Sequence, residues 1–313
     1  MEYRVLICDP IPKEAINILE ARGYHIDYTS SPSPEELKEI IENYDVLIVR
    51  SATKVTAEVI EHAHRLKVIG RPGTGLDNID VEKAKERGIL VINTPTALSI
   101  SVAELTIGLI IMLARNLFTA CESMKRGLWL KHKLRGFELY EKTLGIIGLG
   151  SIGSEVAKRA KALGMRVLGY RRTRLLETAK RLGITACSFE RLLKESDFIT
   201  IHVPLTPETF HMIGEKEIAL MKDGVFLINT SRGAVVDGKS LLEALEIGKI
   251  AGAALDVFEH EPPREDWEFR LIRHPRVVAT PHIGSMTIEA QRRASLMLVE
   301  KIIKVLGTIS NRS

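Results

Sequence analysis

The sequence predicts an α/β protein made of two doubly wound domains, each with a parallel sheet at its centre. Short β-branched runs alternate with amphipathic helical periods along the whole chain, as Arg4–Cys8 followed by Lys13–Arg22 illustrates. This alternation is typical of βαβ units, whose strands run parallel. With 313 residues the chain exceeds the usual size of one domain, so two domains are expected.

Two series of predicted strands support this organisation. The first series has strands at residues 4–8, 45–49 and 67–70, separated by helices at residues 13–22, 34–42 and 56–63. The second series begins at Thr143, and its strands are predicted at Leu144–Gly148, Arg166–Tyr170, Phe198–His202, Val225–Asn229, Ala251–Asp256 and Arg276–Thr280. Each series is long enough to form a sheet of its own.

Two further helices flank the second series. Ser99 offers an N-cap for one apolar helix that continues to about Lys125. A last amphipathic helix, over about residues 287–306, can return to the first domain. We therefore expect a discontinuous substrate-binding domain of residues 1–97 plus 284–313, and a dinucleotide-binding domain of residues 98–283.

Composition argues against several classes of protein. The 44 basic and 40 acidic residues are scattered without a block of five like charges, so no nucleic-acid partner is expected. Cys8, Cys121 and Cys187 lie far apart without metal-ligand spacing, which predicts neither a disulfide framework nor a metal site. The apolar stretch Leu105–Ala114 is too short to cross a bilayer. These features favour a cytoplasmic protein without a membrane partner.

Residues 148–153 carry the clearest functional signal. They read Gly148-Leu149-Gly150-Ser151-Ile152-Gly153, a G-x-G-x-x-G pattern between a predicted strand and a predicted helix. In this setting backbone N–H groups at the helix start face a pyrophosphate, and glycines keep Cβ atoms out of the way. We predict a Rossmann dinucleotide site in the second domain and a flavodoxin-like fold for the first. A tight turn without a ligand is the alternative.

The end of the next predicted strand departs from the usual NAD pattern. An NAD site should offer a carboxylate there to the ribose 2′-hydroxyl, but the chain reads Tyr170-Arg171-Arg172-Thr173-Arg174. Guanidinium groups can bind a 2′-phosphate through charge-assisted hydrogen bonds. We therefore expect NAD or NADP as cofactor, with NADP(H) accepted through Arg171 and Arg172. A solvated basic surface is the alternative.

Three polar segments follow strands of the second series, at residues 229–233, 256–263 and 280–285. Because strand carboxyl ends line the ligand crevice of an open α/β sheet, we expect these segments to meet there. Hydride transfer to a keto acid needs a proton donor for the forming alkoxide and a cation to polarise the carbonyl. Histidine and arginine suit these roles, but spacing alone does not select among nine histidines.

Four motifs in order, GLGSIG, TSRGAVVD, ALDVFEHEPP and TPHIGSMTIEAQ, are similar to those of the D-isomer-specific 2-hydroxyacid dehydrogenase family. The resemblance covers nearly the whole chain. It implies that Arg232, Glu261 and His282 are catalytic, with His202 and His260 as competing histidines. It also implies that the cofactor is lined by Thr74, Ser151, Ile152, Val203, Thr230, Ser231, Asp256, Gly284 and Ser285, with Arg171 at the adenosine ribose.

Two segments of the first domain indicate a substrate with two anionic groups. The Gly73-Thr74-Gly75 turn can present N–H groups to a carboxylate, and Arg50 and Arg71 at strand ends can hold a phosphate. These segments resemble those of family members that oxidise D-3-phosphoglycerate to 3-phosphohydroxypyruvate in serine biosynthesis. By the same resemblance, Lys131 contacts the substrate of a partner subunit in a homodimer. An ordinary ion pair is the alternative for Arg50.

Two departures leave the substrate open. The chain reads Thr96-Ala97-Leu98-Ser99 where the family usually has a glycine and an asparagine before the serine, and it stops at Ser313, so a short form without a C-terminal regulatory domain is expected. An NADPH-dependent glyoxylate or hydroxypyruvate reductase is the alternative enzyme. A nicotinamide-sensing protein similar to transcriptional corepressors is the alternative of another class.

Overall fold

A computed structural model describes residues 3–310 of the chain. It divides into two compact units, one formed by Met1–Leu98 with Met286–Ser313 and the other by Ser99–Ser285. Residues 1–2 and 311–313 of the expected substrate-binding domain lie outside the described part of the chain.

The strands and helices alternate in both units. The strands are β1 (Arg4–Ile7), β2 (His25–Tyr28), β3 (Val46–Ile48), β4 (Val68–Arg71), β5 (Leu90–Asn93), β6 (Thr143–Ile147), β7 (Arg166–Tyr170), β8 (Thr185–Ala186), β9 (Phe198–Ile201), β10 (Val225–Asn229), β11 (Ile250–Leu255) and β12 (Val277–Ala279). The helices are α1 (Lys13–Glu20), α2 (Pro34–Ile40), α3 (Ala57–His62), α4 (Val81–Glu86), α5 (Ser99–Ala114), α6 (Leu117–Lys125), α7 (Ser151–Ala162), α8 (Leu175–Leu182), α9 (Phe189–Glu195), α10 (Glu215–Leu220), α11 (Gly238–Glu246), α12 (Asp266–Arg273) and α13 (Ile288–Ser310).

The first unit has a five-stranded sheet in the order β2-β1-β3-β4-β5, with parallel pairing throughout. One face is covered by α1 and by α13, whose Leu298 and Ile302 are fully buried against the sheet. A Cβ atom at Gly70 on β4 would lie 3.0 Å from Cδ1 of Ile302, so the missing side chain lets the last helix approach closely. The carboxy-terminal helix thus completes the core of this unit.

The second unit has a seven-stranded parallel sheet in the order β12-β11-β10-β9-β6-β7-β8. The strand order reverses between β6 and β9, which creates the switch point where open α/β sheets bind ligands. The Gly148–Gly153 loop follows β6 at this point. The prediction of two doubly wound parallel-sheet domains is confirmed.

The apolar helix expected from Ser99 to Lys125 is wrong as a single helix. The structure breaks it into α5 and α6, which are bent by 69° relative to each other. Asn116 between them has φ 51°, a left-handed conformation that interrupts the ladder of helical hydrogen bonds. Among the described helices, no single one is long and apolar enough to span a bilayer, and α5 and α6 satisfy that test only as a bent pair.

Three strands were not predicted from the sequence: β2, β5 and β8. Strands β2 and β5 lie at the two edges of the first sheet, and the two-residue β8 lies at one edge of the second. Their side chains are mostly exposed or half-buried, so none of them has the continuous apolar run of a central strand.

Candidate active site

The Gly148–Gly153 loop has the geometry of a phosphate-binding turn. Gly148 has φ 99°, and a Cβ atom there would overlap the carbonyl oxygen of His202, while one at Gly153 would overlap the carbonyl oxygen of Gly148. A Cβ atom at Gly150 would meet no atom of the described residues within 4 Å, its two chain neighbours aside. Packing therefore explains two of the glycines, whereas Gly150 leaves open space over the backbone for a ligand.

Helix α7 begins at Ser151 and has no side-chain hydrogen bond at its N-cap. The first backbone N–H groups of a helix have no partner within that helix and favour an anion. The residues around this loop therefore fit a dinucleotide pyrophosphate.

Arg171 follows β7 and is held beside this loop. Its Nη1 donates hydrogen bonds to the carbonyl oxygen of Leu149 at 3.0 Å and to Oγ1 of Thr178 at 3.1 Å. Arg172 is more exposed, and its Nη1 lies 3.9 Å from Oε2 of Glu208. The structure thus places one guanidinium on the phosphate loop and the next one in solvent.

The centre of the site is a hydrogen bond between a histidine and a glutamate. Nδ1 of His282 donates to Oε2 of Glu261 at 2.6 Å, and the other oxygen of Glu261 accepts from the backbone N–H of Phe258 at 3.1 Å. This pairing orients the imidazole and leaves Nε2 as the ring nitrogen that can exchange a proton.

The pair also shifts both protonation equilibria. The hydrogen bond to Glu261 raises the pKa of His282 above its usual value, and the charge of Asp256 raises it further. Burial is the largest single effect on Glu261 and favours its neutral form. The hydrogen bond and the charge of His282, together with the N–H of Phe258, outweigh burial and lower the pKa of Glu261. Arg232 acts on both groups, lowering the pKa of each through its positive charge.

Asp256 fixes the loop that presents the histidine. Its side chain is 1% exposed, and it accepts hydrogen bonds from Oγ1 of Thr280 at 2.6 Å and from the N–H groups of Ile283 and Gly284 at 2.8 Å each. His282 itself has φ 53°, a conformation that non-glycine residues rarely adopt. The carboxylate therefore stabilises the unusual backbone that aims the imidazole.

The turn after β10 directs Arg232 into the same region. Asn229, 1% exposed, donates from Nδ2 to the carbonyl oxygen of Arg232 at 2.9 Å and accepts from the N–H of Ser231 at 3.0 Å. A Cβ atom at Gly233 would overlap the backbone of Phe258. The absence of a side chain at Gly233 therefore allows the segments that carry Arg232 and Glu261 to pack directly together.

The two competing histidines, His202 and His260, have polar side-chain partners other than Glu261. Burial lowers the pKa of His202 to about 3, and its Nε2 lies 3.0 Å from Oγ1 of Thr200. His202 is therefore neutral at physiological pH and unsuited to donating a proton as an imidazolium. Nδ1 of His260 lies 3.1 Å from Oε2 of Glu268 rather than from Glu261.

In the first unit, Arg50 follows β3 and is held by its backbone. Its N–H donates to Oδ2 of Asp9 at 2.5 Å, and its carbonyl oxygen accepts from Nδ2 of Asn78 at 2.7 Å. Among the described residues, its guanidinium contacts the carbonyl oxygen of Pro10 at 3.3 Å and Sδ of Met286 at 3.8 Å, both longer than a strong hydrogen bond. The backbone of Arg50 is thus fixed while its side chain is weakly held.

The turn at residues 73–75 is braced on several sides. Nη1 of Arg71 donates to the carbonyl oxygen of Gly75, and Thr74 donates from Oγ1 to the carbonyl oxygen of Pro95 at 3.2 Å. The carbonyl oxygen of Thr74 accepts from Nδ2 of Asn93 at 2.8 Å. The structure therefore shows Arg71 as part of the scaffold of this turn.

Other predicted residues of the second unit lie on strand ends and loops. Thr230 shares a buried 3.0 Å hydrogen bond with Thr106, and Oγ of Ser231 donates to Oδ1 of Asn229 at 2.8 Å. Lys131 lies in an exposed 3₁₀ turn. The remaining predicted cofactor residues occupy the start of α7 and the loops after β9 and β12: Ser151, Ile152, Val203, Gly284 and Ser285.

The sequence did not predict the residues on α5 that hydrogen-bond to the loops of the site. Ser101 on α5 donates from Oγ to the carbonyl oxygen of Gly284 at 2.6 Å, and Thr106 on the same helix reaches Thr230. Asn229 lay within a polar segment but had no assigned role. The sequence signal for such residues is weak, because a small polar residue in an apolar helix is also a common core residue.

Comparisons with known proteins show which family the chain resembles. Residues 107–284 match the family described as D-isomer specific 2-hydroxyacid dehydrogenase, NAD binding domain. The chain is 51% identical to a D-3-phosphoglycerate dehydrogenase of Methanocaldococcus jannaschii over 97% of its own length and 57% of that protein's. It is 50% identical to a hydroxypyruvate reductase of Thermotoga maritima, covering 97% of this chain and 99% of that one.

A solved structure shows the same fold. A D-lactate dehydrogenase of Aquifex aeolicus, solved with NAD and lactic acid, superposes with a TM-score of 0.86 at 33% identity, covering 97% of this chain and 96% of that one. The chain therefore belongs to the D-isomer-specific 2-hydroxyacid dehydrogenase family, as its motifs implied, and it has the family's NAD-binding domain.

Proposed function

We propose that this protein transfers a hydride between a nicotinamide dinucleotide and the α-carbon of a D-2-hydroxy acid, with Arg232, Glu261 and His282 as catalytic residues. The observation that carries the proposal is the 2.6 Å hydrogen bond between His282 and Glu261, at the strand ends of a sheet whose G-x-G-x-x-G loop fits a pyrophosphate. On this proposal Ser99–Ser285 is the dinucleotide-binding domain, and the other unit binds substrate.

The histidine moves the proton of the reaction. When bound, the nicotinamide supplies hydride acceptance or donation. In the oxidation, Nε2 of His282 takes the proton from the substrate hydroxyl, and the Glu261 carboxylate stabilises the resulting imidazolium. In the reduction, the same imidazolium returns the proton to the forming alkoxide. The raised pKa of His282 keeps a useful fraction of the imidazolium available near neutral pH.

Arg232 supplies positive charge next to this pair. Its charge already acts on both His282 and Glu261. The Asn229 turn fixes the backbone of Arg232, and Nη1 of its guanidinium donates to the carbonyl oxygen of Ser231 at 2.7 Å. A guanidinium can bind a substrate carboxylate through two hydrogen bonds and polarise the neighbouring carbonyl. Arg232 is therefore assigned to orienting the substrate and polarising its reacting carbon.

The favoured substrate pair is D-3-phosphoglycerate and 3-phosphohydroxypyruvate, a reaction of serine biosynthesis. The weakly held guanidinium of Arg50 supports this choice, because it can turn to a phosphate without breaking a strong contact. The turn at residues 73–75 would hold the carboxylate. The relative that is 51% identical bears the name of this activity.

Reduction of hydroxypyruvate or glyoxylate is the second candidate. The Thermotoga maritima relative is named for hydroxypyruvate reduction, and this chain covers 99% of its length. The arginines after β7 also suit NADPH, the usual donor in reductions. We propose that NADP(H) is accepted, since Arg171 is fixed beside the phosphate loop and Arg172 lies next in sequence.

A substrate panel tests the function and separates the two candidates. Steady-state rates are measured with 3-phosphoglycerate, hydroxypyruvate and glyoxylate, each with both nicotinamide cofactors. Turnover of 3-phosphoglycerate with the highest kcat/KM is expected, and His282→Gln should lower kcat about 10²- to 10⁴-fold. Dinucleotide binding without turnover of any of these acids would instead favour a sensing role.

Several large apolar side chains around α6 are exposed and can serve as a contact surface. We propose a homodimer that associates through the exposed apolar side chains of the segment around α6: Leu117, Phe118, Met124, Leu128, Trp129, Phe137 and Tyr140. Lys131 lies within this segment and would act across the dimer.

A cytoplasmic location is supported by Cys8, Cys121 and Cys187, which form no disulfide.

A further inference from the structure

Glu268 on α12 is a buried carboxylate with an unusual number of partners. Its side chain is 1% exposed, although it lies in the first turn of a surface helix. Oε1 accepts from the backbone N–H of His260 at 3.0 Å, and Oε2 accepts from the N–H groups of Arg264 and Glu265 at 3.0 and 3.1 Å. Nδ1 of His260 also lies 3.1 Å from Oε2.

Helix capping explains only one of these contacts. A glutamate at the third helical position commonly accepts from the N-cap N–H, which here belongs to Glu265. The hydrogen bonds from the N–H groups of His260 and Arg264 involve residues outside the cap, one before and one after Glu261 in the sequence. Burial opposes the ionisation of Glu268, but the backbone hydrogen bonds hold its pKa below the usual value, so the group is a carboxylate.

We propose that Glu268 is a positioning residue, which holds the segment 258–265 so that the carboxylate of Glu261 stays within hydrogen-bond distance of His282. The inference rests on the function proposed for that pair. It concerns a residue outside the family motifs and without contact to the reacting groups.

The helix that carries Glu268 is itself firmly placed. Leu271 on the same face is 3% exposed, and a Cβ atom at Gly238 would overlap the ring of Trp267, which shows how closely α12 packs on the start of α11. Because α12 is firmly packed, the Glu268 carboxylate can hold the segment 258–265 in a fixed position. On its other side, the segment contacts the backbone at Gly233.

Neutralising this carboxylate should loosen the segment. In Glu268→Gln one of two acceptor oxygens becomes an NH₂ donor that faces N–H groups, so those hydrogen bonds are lost. The Glu261 carboxylate then moves relative to His282, whose pKa is raised chiefly by the hydrogen bond to Glu261 and lowered by burial. Displacement of a catalytic group by about 1 Å costs on the order of 10²-fold in rate.

The test compares Glu268→Gln with Glu246→Gln, which removes an exposed carboxylate that pairs with Arg270 on the same helix but does not touch the segment. NMR titration follows the imidazole of His282, assigned by its loss in His282→Gln. We expect Glu268→Gln to lower the pKa of His282 and to reduce kcat about 10- to 100-fold with little change in KM, and Glu246→Gln to do neither.

The NMR readout does not require turnover, so it tests the positioning role even if the wild-type protein fails every substrate in the panel. An unchanged pKa of His282 and an unchanged kcat in a folded Glu268→Gln variant would overturn the inference, as would equal changes in Glu246→Gln. Should Glu268→Gln not fold, Glu268→Asp decides, because it keeps the charge but shortens the side chain, which draws the carboxylate away from the N–H groups of His260 and Arg264. A lowered pKa of His282 there supports the role, and an unaltered one refutes it.

Discussion

His282 and Glu261 are joined by a 2.6 Å hydrogen bond although they lie 21 residues apart in the sequence and on loops that follow different strands. The bond raises the pKa of the imidazole and lowers that of the carboxylate, as expected for a pair that is most stable as imidazolium and carboxylate. This coupled pair makes the pH dependence of catalysis sensitive to either residue.

The pH profile should move when the charge of Glu261 is removed. In Glu261→Gln the main cause of the raised pKa of His282 is lost, so that pKa falls. Oxidation needs the neutral imidazole, so kcat/KM for oxidation rises with pH through the pKa of His282, and this rise should occur at lower pH in the variant. Reduction needs the imidazolium, so kcat/KM for reduction should begin to fall at lower pH. Profiles of kcat/KM in both directions measure this, with Glu259→Gln as a neighbouring control. Limbs that stay in place would contradict the pairing.

Two glycines of the phosphate loop, Gly150 and Gly153, should respond differently to alanine. Gly153→Ala introduces an overlap with the backbone of Gly148 and should destabilise the fold by about 1–3 kcal/mol. Gly150→Ala meets open space and should leave the melting temperature nearly unchanged while weakening dinucleotide binding. Thermal unfolding and calorimetric titration with NADH distinguish the two. Full dinucleotide affinity in Gly150→Ala would show that no ligand approaches this backbone.

Cofactor preference should depend on Arg171. Replacing it with alanine removes charge-assisted hydrogen bonds, so kcat/KM for NADP⁺ should fall about 10- to 100-fold. The value for NAD⁺ should fall less, through the lost contact to Leu149. Arg166→Ala, at the opposite end of β7, is the matched control. Equal losses for both cofactors would assign Arg171 to the loop scaffold alone.

Loss of the Arg50 guanidinium should affect phosphorylated and unphosphorylated substrates differently. Arg50→Ala should raise KM for 3-phosphohydroxypyruvate about 10- to 100-fold, the range for losing a hydrogen-bonded charge, and leave KM for hydroxypyruvate little changed. Arg87→Ala removes a different exposed arginine of the same unit and serves as the control. A similar rise for both substrates would show that Arg50 does not recognise the phosphate.

Association should depend on the exposed segment around α6. Trp129 is 76% exposed, and the Trp129→Glu variant places a charge within this apolar surface. Light scattering after gel filtration should give twice the chain mass for the wild type and a lower value for the variant at micromolar concentration. Ile247→Glu, at an 80% exposed position elsewhere in the same unit, should not change the mass. A wild-type monomer would refute the proposed dimer.

The central strands and the phosphate loop could be predicted because their signals are local. β9 and β10 are buried apolar runs, and the G-x-G-x-x-G turn is required by contacts within a few residues and by one neighbouring strand. Edge strands β2, β5 and β8 lacked such runs. The break at Asn116 was missed because a single left-handed residue has no periodic signature.

The sequence by itself determined the α/β class, the two series of strands, the dinucleotide loop and, through its motifs, the family. Only the tertiary structure decided that Nδ1 of His282 binds Glu261 while His260 binds Glu268, since the choice between neighbouring carboxylates depends on where separate loops meet. The pKa shifts follow from these contacts, because burial and the distance between charges have no counterpart in linear spacing.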